Sequence, residues 1–155
     1  MIGRLGLLGV LLAATVSRAE LHAQNTTLTR TGFNGNFGNS TVATFDAGFD
    51  EAGSSVTFTV AITTSAASRK TNVYISATAA TIGSNPISDV LWRRNDLGVW
   101  NPLTTTPVLV ESRTIAGVGT SWANGVVLRI QYPWNSTIAE GLAATVVITL
   151  EVVPP

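Results

Sequence analysis

The sequence predicts an all-β chain, an antiparallel β-sandwich of Ig-like or pilin-like type with about seven to nine strands. Three observations carry this. Apolar residues recur at every second position in four segments. Val, Thr and Ile dominate those segments, as suits a pleated, half-buried surface. Clusters of Gly, Asn, Asp, Ser and Pro separate them. Beyond the N-terminal region no stretch has the apolar spacing of a helix.

The elements follow in order. MIGRLGLLGVLLAATVSRAELHAQ has the three parts of a secretory signal: Arg4, an apolar run from Leu5 to Val16, then small residues. That run is shorter than the ~20 residues that span a bilayer. Cleavage is expected after Ala23, with Ala19 as the alternative, so residues 1–23 form the signal peptide and the mature protein is secreted, to the medium or cell surface with the periplasm possible. Residues 24–39, polar and rich in Gly and Asn, read as a flexible N-terminal arm or an edge strand. Residues 40–155 form the sandwich domain, a size suited to one core.

The strongest strands alternate cleanly. In SSVTFTVAIT, Val56, Phe58, Val60 and Ile62 share one face. TNVYISA places Val73, Ile75 and Ala77 together, and GVVLRIQY does the same for Val126, Leu128, Ile130 and Tyr132. ATVVITLEVV aligns Val146, Ile148, Leu150 and Val152. Weaker strands are expected at Thr26–Thr31, Thr41–Asp46, Ser88–Arg94 and Pro107–Ile115. Turns are expected at GFNGNFGNS, DAGFDEAGSS, GSNP, NDLG, GVGTSWANG and WNSTIAEG.

Charge and composition exclude several function classes. After Ala23 the chain carries seven Lys or Arg and eight Asp or Glu. So balanced a charge offers no electrostatic footprint for nucleic acid or anionic lipid and permits close self-association. There is no cysteine, which removes thiol catalysis and disulfide chemistry. The one histidine, His22, leaves with the signal peptide, so no Ser-His-Asp arrangement and no His-based metal site is available. No enzyme activity, cofactor or metal is expected. Asp46, Asp50 and Glu51 share a Gly-rich stretch whose spacing does not match an EF-hand loop. Asn25, Asn39 and Asn135 stand in glycosylation-acceptor triplets.

LWRRNDLGVWNPL places NDLG between two arms that carry Trp92 and Trp100. If the arms pair, the two indoles lie near each other across the ladder. Trp92, Arg94 and Trp100 are therefore candidate ligand-binding residues, a flat aromatic platform for sugar with Arg93, Arg94 and Asp96 as its polar rim. The alternative is that the tryptophans close an end of the sandwich as packing residues. Trp122 and Trp134 fall in expected turns and admit the same two readings.

WNSTIAEGLAATVVITLEV resembles the end of secreted bacterial pilin-like and spore-coat-like domains, where a Gly-aromatic turn leads into a last strand of alternating Thr and Val. Gly141 and the strand Ala144–Val153 match, Leu142 stands where an aromatic is common, and the family's cysteines have no counterpart here. The resemblance implies a structural or surface role with assembly by strand exchange, and no catalytic residues.

A sheet edge offers unpaired N–H and C=O groups to another chain. Leu28 in the arm, and Val146, Ile148 and Leu150 in the last strand, are the candidate self-assembly residues. The last strand equally suits its own domain's core. Expected partners are thus further copies of the chain, or surface glycans.

Overall fold

A computed structural model describes residues 26–31, 34–38, 41–63, 68–132 and 142–153. The expected signal peptide, the three glycosylation triplets' asparagines and Trp134 lie outside the described residues. Among the described residues no helix is long and apolar enough to cross a membrane.

The chain is mostly β, with antiparallel sheets. In order the strands are β1 (Thr26–Thr31), β2 (Asn34–Asn36), β3 (Phe49–Glu51), β4 (Val56–Ile62), β5 (Arg69–Ala77), β6 (Thr81–Ile82), β7 (Asn85–Pro86), β8 (Val90–Arg94), β9 (Asn101–Pro102), β10 (Val108–Ile115), β11 (Ser121–Gln131) and β12 (Ala143–Val153). One sheet has the order β1-β4-β11-β8-β9, with β3 also paired to β11, and the other has the order β10-β5-β12-β2. β6 and β7 form a small hairpin whose turn, at GSNP, uses Gly83 at φ 57.

Alternation builds the core as expected. Val56, Phe58, Val60 and Ile62 of β4 and Val126, Leu128 and Ile130 of β11 are buried. They meet Val73, Ile75 and Ala77 of β5 and Ala144, Val146 and Ile148 of β12. Trp122 joins the layers: it lies edge-on to Phe58, with centroids 5.5 Å apart, and its Nε1 donates to Thr71 Oγ1 at 3.2 Å. Each fully buried Val, Ile or Leu contributes roughly 1.5–3 kcal/mol, so this interior holds the fold without disulfides.

The N-terminal segment crosses between sheets. β1 pairs with β4, Thr26 opposite Ile62, while β2 pairs with β12, Gly35 opposite Ala144. β1, residues 26–31, ends the strand order of its sheet.

Four local differences from the sequence reading have physical causes. Thr41–Asp46, expected as a strand, instead caps and enters a short helix, Val42–Ala47. Thr41 and Thr44 form a reciprocal capping box, and Gly48 ends the helix at φ 74, where a side chain would be strained. DAGFDEAGSS, expected as one loop, runs from this helix into β3, which continues the line of β4 along β11. Trp122, expected in a turn, lies inside β11, because the turn closes earlier at Gly117 and Gly119, both with positive φ. Ser88–Arg94 begins with a single 3₁₀ turn, Ile87–Asp89, before β8.

Strand order is also specific. Seven strands have five or more residues: β1, β4, β5, β8, β10, β11 and β12. In an Ig constant-type domain the first, second, fifth and fourth strands share a sheet. Here β11, the sixth, takes the fifth strand's place beside β4, and β10 lies in the other sheet. The chain crosses between sheets after β9 instead of turning back within one.

Candidate functional site

The Trp-rich hairpin forms. β8 and β9 pair with Leu91 opposite Pro102 and Trp92 opposite Asn101, and the loop 95–100 joins them. The register decides the fate of the two indoles. Trp92 shares the inward face with Val90 and is 4% exposed. Trp100 falls just before β9, one position along from Asn101, with its ring on the outward face beside Arg93 and Arg129. The sheet therefore separates Trp92 from Trp100, and they do not form one platform. Period-two geometry sends neighbouring ladder positions to opposite faces.

On the outer face the Trp100 ring is covered by guanidinium groups. Arg129 lies 4.2 Å from its centroid and Arg93 lies 5.0 Å away. Arg129 also reaches the Phe49 ring at 4.9 Å. β3, β11, β8 and the hairpin thus stack Phe49, Arg129, Trp100 and Arg93 across the sheet. A sugar stacked on Trp100 would compete with these guanidinium groups for the ring face.

On the inner side Trp92 and Arg94 line a cleft of about 260 Å³ with Leu97, Val99, Val108 and Leu109. Among the described residues the Trp92 Nε1 donor has no acceptor. Arg94 is held by Asp96 through two bonds, Nε to Oδ1 at 2.8 Å and Nη2 to Oδ2 at 2.5 Å. That pairing, with further help from Asn124, pushes the Asp96 carboxyl well below its ordinary range.

Behind the cleft a polar cluster ties the sheets together. Glu111 of β10 is 7% exposed. It accepts from Arg113 Nε at 2.5 Å and from Asn124 Nδ2 at 2.7 Å, and lies 3.8 Å from Arg94. Arg113 in turn covers the Trp122 ring at 4.9 Å. Simple alternation would turn Glu111 away from Val110. A bulge between Leu109 and Glu111 adds one residue, so both Val110 and Glu111 are buried. The sequence carries no mark of this shift.

The self-assembly candidates divide. Val146 and Ile148 are 2% and 1% exposed and belong to the chain's own core. Leu28 and Leu150 pack against that core but remain partly exposed. β12 is therefore not a free donor strand; it is built into its sheet through β5 from Val146 to Val153.

Its other edge is a different matter. β2 covers only Ala143 to Thr145. Leu142 O accepts from Phe37 N on the β2 side, whereas Thr145 O accepts from Thr78 N on the β5 side. Strand geometry then turns the main-chain groups of Ile148, Leu150 and Val152 away from β5. Among the described residues no strand pairs with them. Arg30 Nη1 donates to Ile148 O at 2.8 Å, and β1, which carries Arg30, lies close to β12 here without pairing to it. On the outer face beside it, a shallow groove of about 340 Å³ is lined by Tyr74, Pro107, Thr149, Leu150 and Glu151.

Asp46, Asp50 and Glu51 are drawn apart: Asp46 lies on the helix, and Asp50 and Glu51 are successive residues of β3 facing opposite ways. Among the described residues no three His, Cys, Asp or Glu side chains group as a metal site.

No family model, curated protein or solved structure matches this chain.

Proposed function

We propose that this is a non-enzymatic, exported β-sandwich that serves as an extracellular structural subunit, pilin-like in joining copies of itself by strand pairing. The observation that carries this reading is the edge of β12, where Ile148, Leu150 and Val152 direct main-chain groups away from β5, the one strand that pairs with them among the described residues. Support comes from the balanced charge, which gives copies little mutual repulsion. The near-absence of His and the lack of Cys support a structural over a catalytic role.

Light scattering and electron microscopy of the purified protein over a range of concentrations test it. Oligomers or fibres that grow with concentration are expected. A monomer at every concentration overturns the proposal.

A second reading, binding of a surface glycan, is favoured by one observation: the cleft lined by Trp92 and Arg94. Trp100 has no part in it. Titration with a glycan panel, read by Trp92 indole N–H resonances, tests it; no shift with any glycan removes it.

A further inference from the structure

Among the described residues no strand pairs with β12 beyond Thr145 on the side away from β5; that edge is complementary to itself, and we infer that a second copy pairs there in antiparallel register across a two-fold axis at Leu150. This rests on the self-association reading above and names its interface.

The register follows from three constraints. Two-fold pairing of one edge with itself must be antiparallel and centred on a single point. Hydrogen bonding requires residues whose main-chain groups face outward, and these are Ile148, Leu150 and Val152. Centring on Leu150 sets Leu150 against the partner's Leu150 and Ile148 against the partner's Val152. Each such pair exchanges two bonds, giving about six in all.

Side chains decide between this centre and its neighbours. At Leu150 the outer face sets Glu151 opposite the partner's Thr149, and Val147 opposite the partner's Val153. Carboxylate thus meets hydroxyl and apolar meets apolar. Asn72 and Tyr74 already donate to Oε2 of Glu151 at 2.9 and 2.6 Å. Moving the centre to Glu151 would place two carboxylates face to face, which destabilises a ladder. On the inner face Leu150 and Val152 are partly exposed, unlike Val146 and Ile148 deeper in the core. A strand laid beside them extends the dry interior.

Length fits as well. The pairing runs from Val147 to Val153, about 24 Å. It stops short of Ala143–Thr145, which β2 already occupies. The nearness of β1 opposes it: β1 lies close to β12 and must give way, and Arg30 must release Ile148 O, whose place the partner's Val152 N–H then takes. A charged side chain at an edge is a common guard against such pairing, so Arg30 sets how readily copies join.

The chain has no cysteine, so one introduced thiol reports without interference. Directly opposed residues have Cα atoms about 5.5 Å apart, within disulfide range. Leu150→Cys is expected to form a covalent dimer under mild oxidation at concentrations where Thr105→Cys, in an exposed loop, stays monomeric. If Leu150→Cys does not fold, as judged by circular dichroism, the double variant Val147→Cys with Val153→Cys replaces it and is expected to cross-link. Arg30→Ala is expected to shift the unmodified protein toward dimer by roughly threefold or more, the scale of one hydrogen bond.

Two failures are distinct. If light scattering finds the wild-type protein monomeric throughout, the self-association reading itself falls. If it self-associates but the thiols at Leu150, or at Val147 and Val153, do not cross-link, this interface is wrong and the broader reading survives.

Discussion

Arg129 of β11 lies over the Trp100 ring, its guanidinium carbon 4.2 Å from the centroid, with Phe49 on another side at 4.9 Å. The arginine bridges β3, β11 and the hairpin that ends at β9. A guanidinium over an aromatic ring is worth about 0.5–2 kcal/mol according to its exposure. Arg129→Ala is therefore expected to lower stability by about 1–2 kcal/mol in urea unfolding, through lost packing of its stem as well as lost charge. Arg129→Lys should recover only part, since an ammonium does not stack as a planar group does.

Glu111 is the buried carboxylate among the described residues. It is buried at the sheet junction and engages Arg113 and Asn124 together. Glu111→Ala leaves both donors without it, and breaking a buried pair costs about 3–5 kcal/mol. Arg113 is partly exposed and Arg94 keeps Asp96, so about 2–3 kcal/mol is the expected loss. A double-mutant cycle with Arg113→Ala, measured by chemical unfolding, should return a clear coupling; additivity would mean that the two do not act together.

Gly35 stands where β2 crosses the core. A Cβ there would fall 2.5 Å from Leu128 Cδ1 and 3.2 Å from Leu128 Cβ. Leu128 is fully buried, so moving its side chain disturbs the core neighbours it packs against. Gly35→Ala is expected to cost about 1–3 kcal/mol, as overpacking does. Exchange of the amides that pair β2 with β12 should quicken, since that ladder is the first to be pushed off.

Tyr74 and Glu151 share a pH window. The Asn72 amide, and then the Tyr74 hydroxyl, hold the Glu151 carboxyl below its ordinary value. The same bond to Glu151 raises the Tyr74 phenol above 10.0. For Glu151 the folded value is depressed, so its contribution is present above the usual carboxylate range and fades as pH falls through the folded value. For Tyr74 the folded value is raised, so its contribution is present below the usual phenol value and fades as pH rises through the folded one. An ultraviolet titration of Glu151→Gln should show Tyr74 ionising at lower pH than in the wild-type protein. An unchanged curve would sever the two groups.

The pattern of residues along the chain is enough to dictate the class of fold and most of the core. The two-residue rhythm of β4, β5, β11 and β12 identifies Phe58, Ile75, Leu128 and Ile148 as interior, because a strand has only two faces and burial favours the apolar one. It also predicted the hairpin around NDLG. What it left open depends on contacts far apart in the chain. The helix at Val42–Ala47 hides from an apolar pattern because none of its side chains is buried; its signal is the Thr41–Thr44 box and Gly48. Glu111 faces inward only because of a one-residue bulge, and the partners that make this tolerable, Asn124 and Arg113, become neighbours only when the sheets meet. Trp92 and Trp100 look alike in sequence, yet the pairing register sends one inward and the other outward under Arg129. Likewise Ile148, Leu150 and Val152 read as one more core strand until the sheet order leaves their far side, among the described residues, without a paired strand. Local pattern fixes which way a side chain faces along a strand; which strand lies beside it is settled only when the whole chain packs.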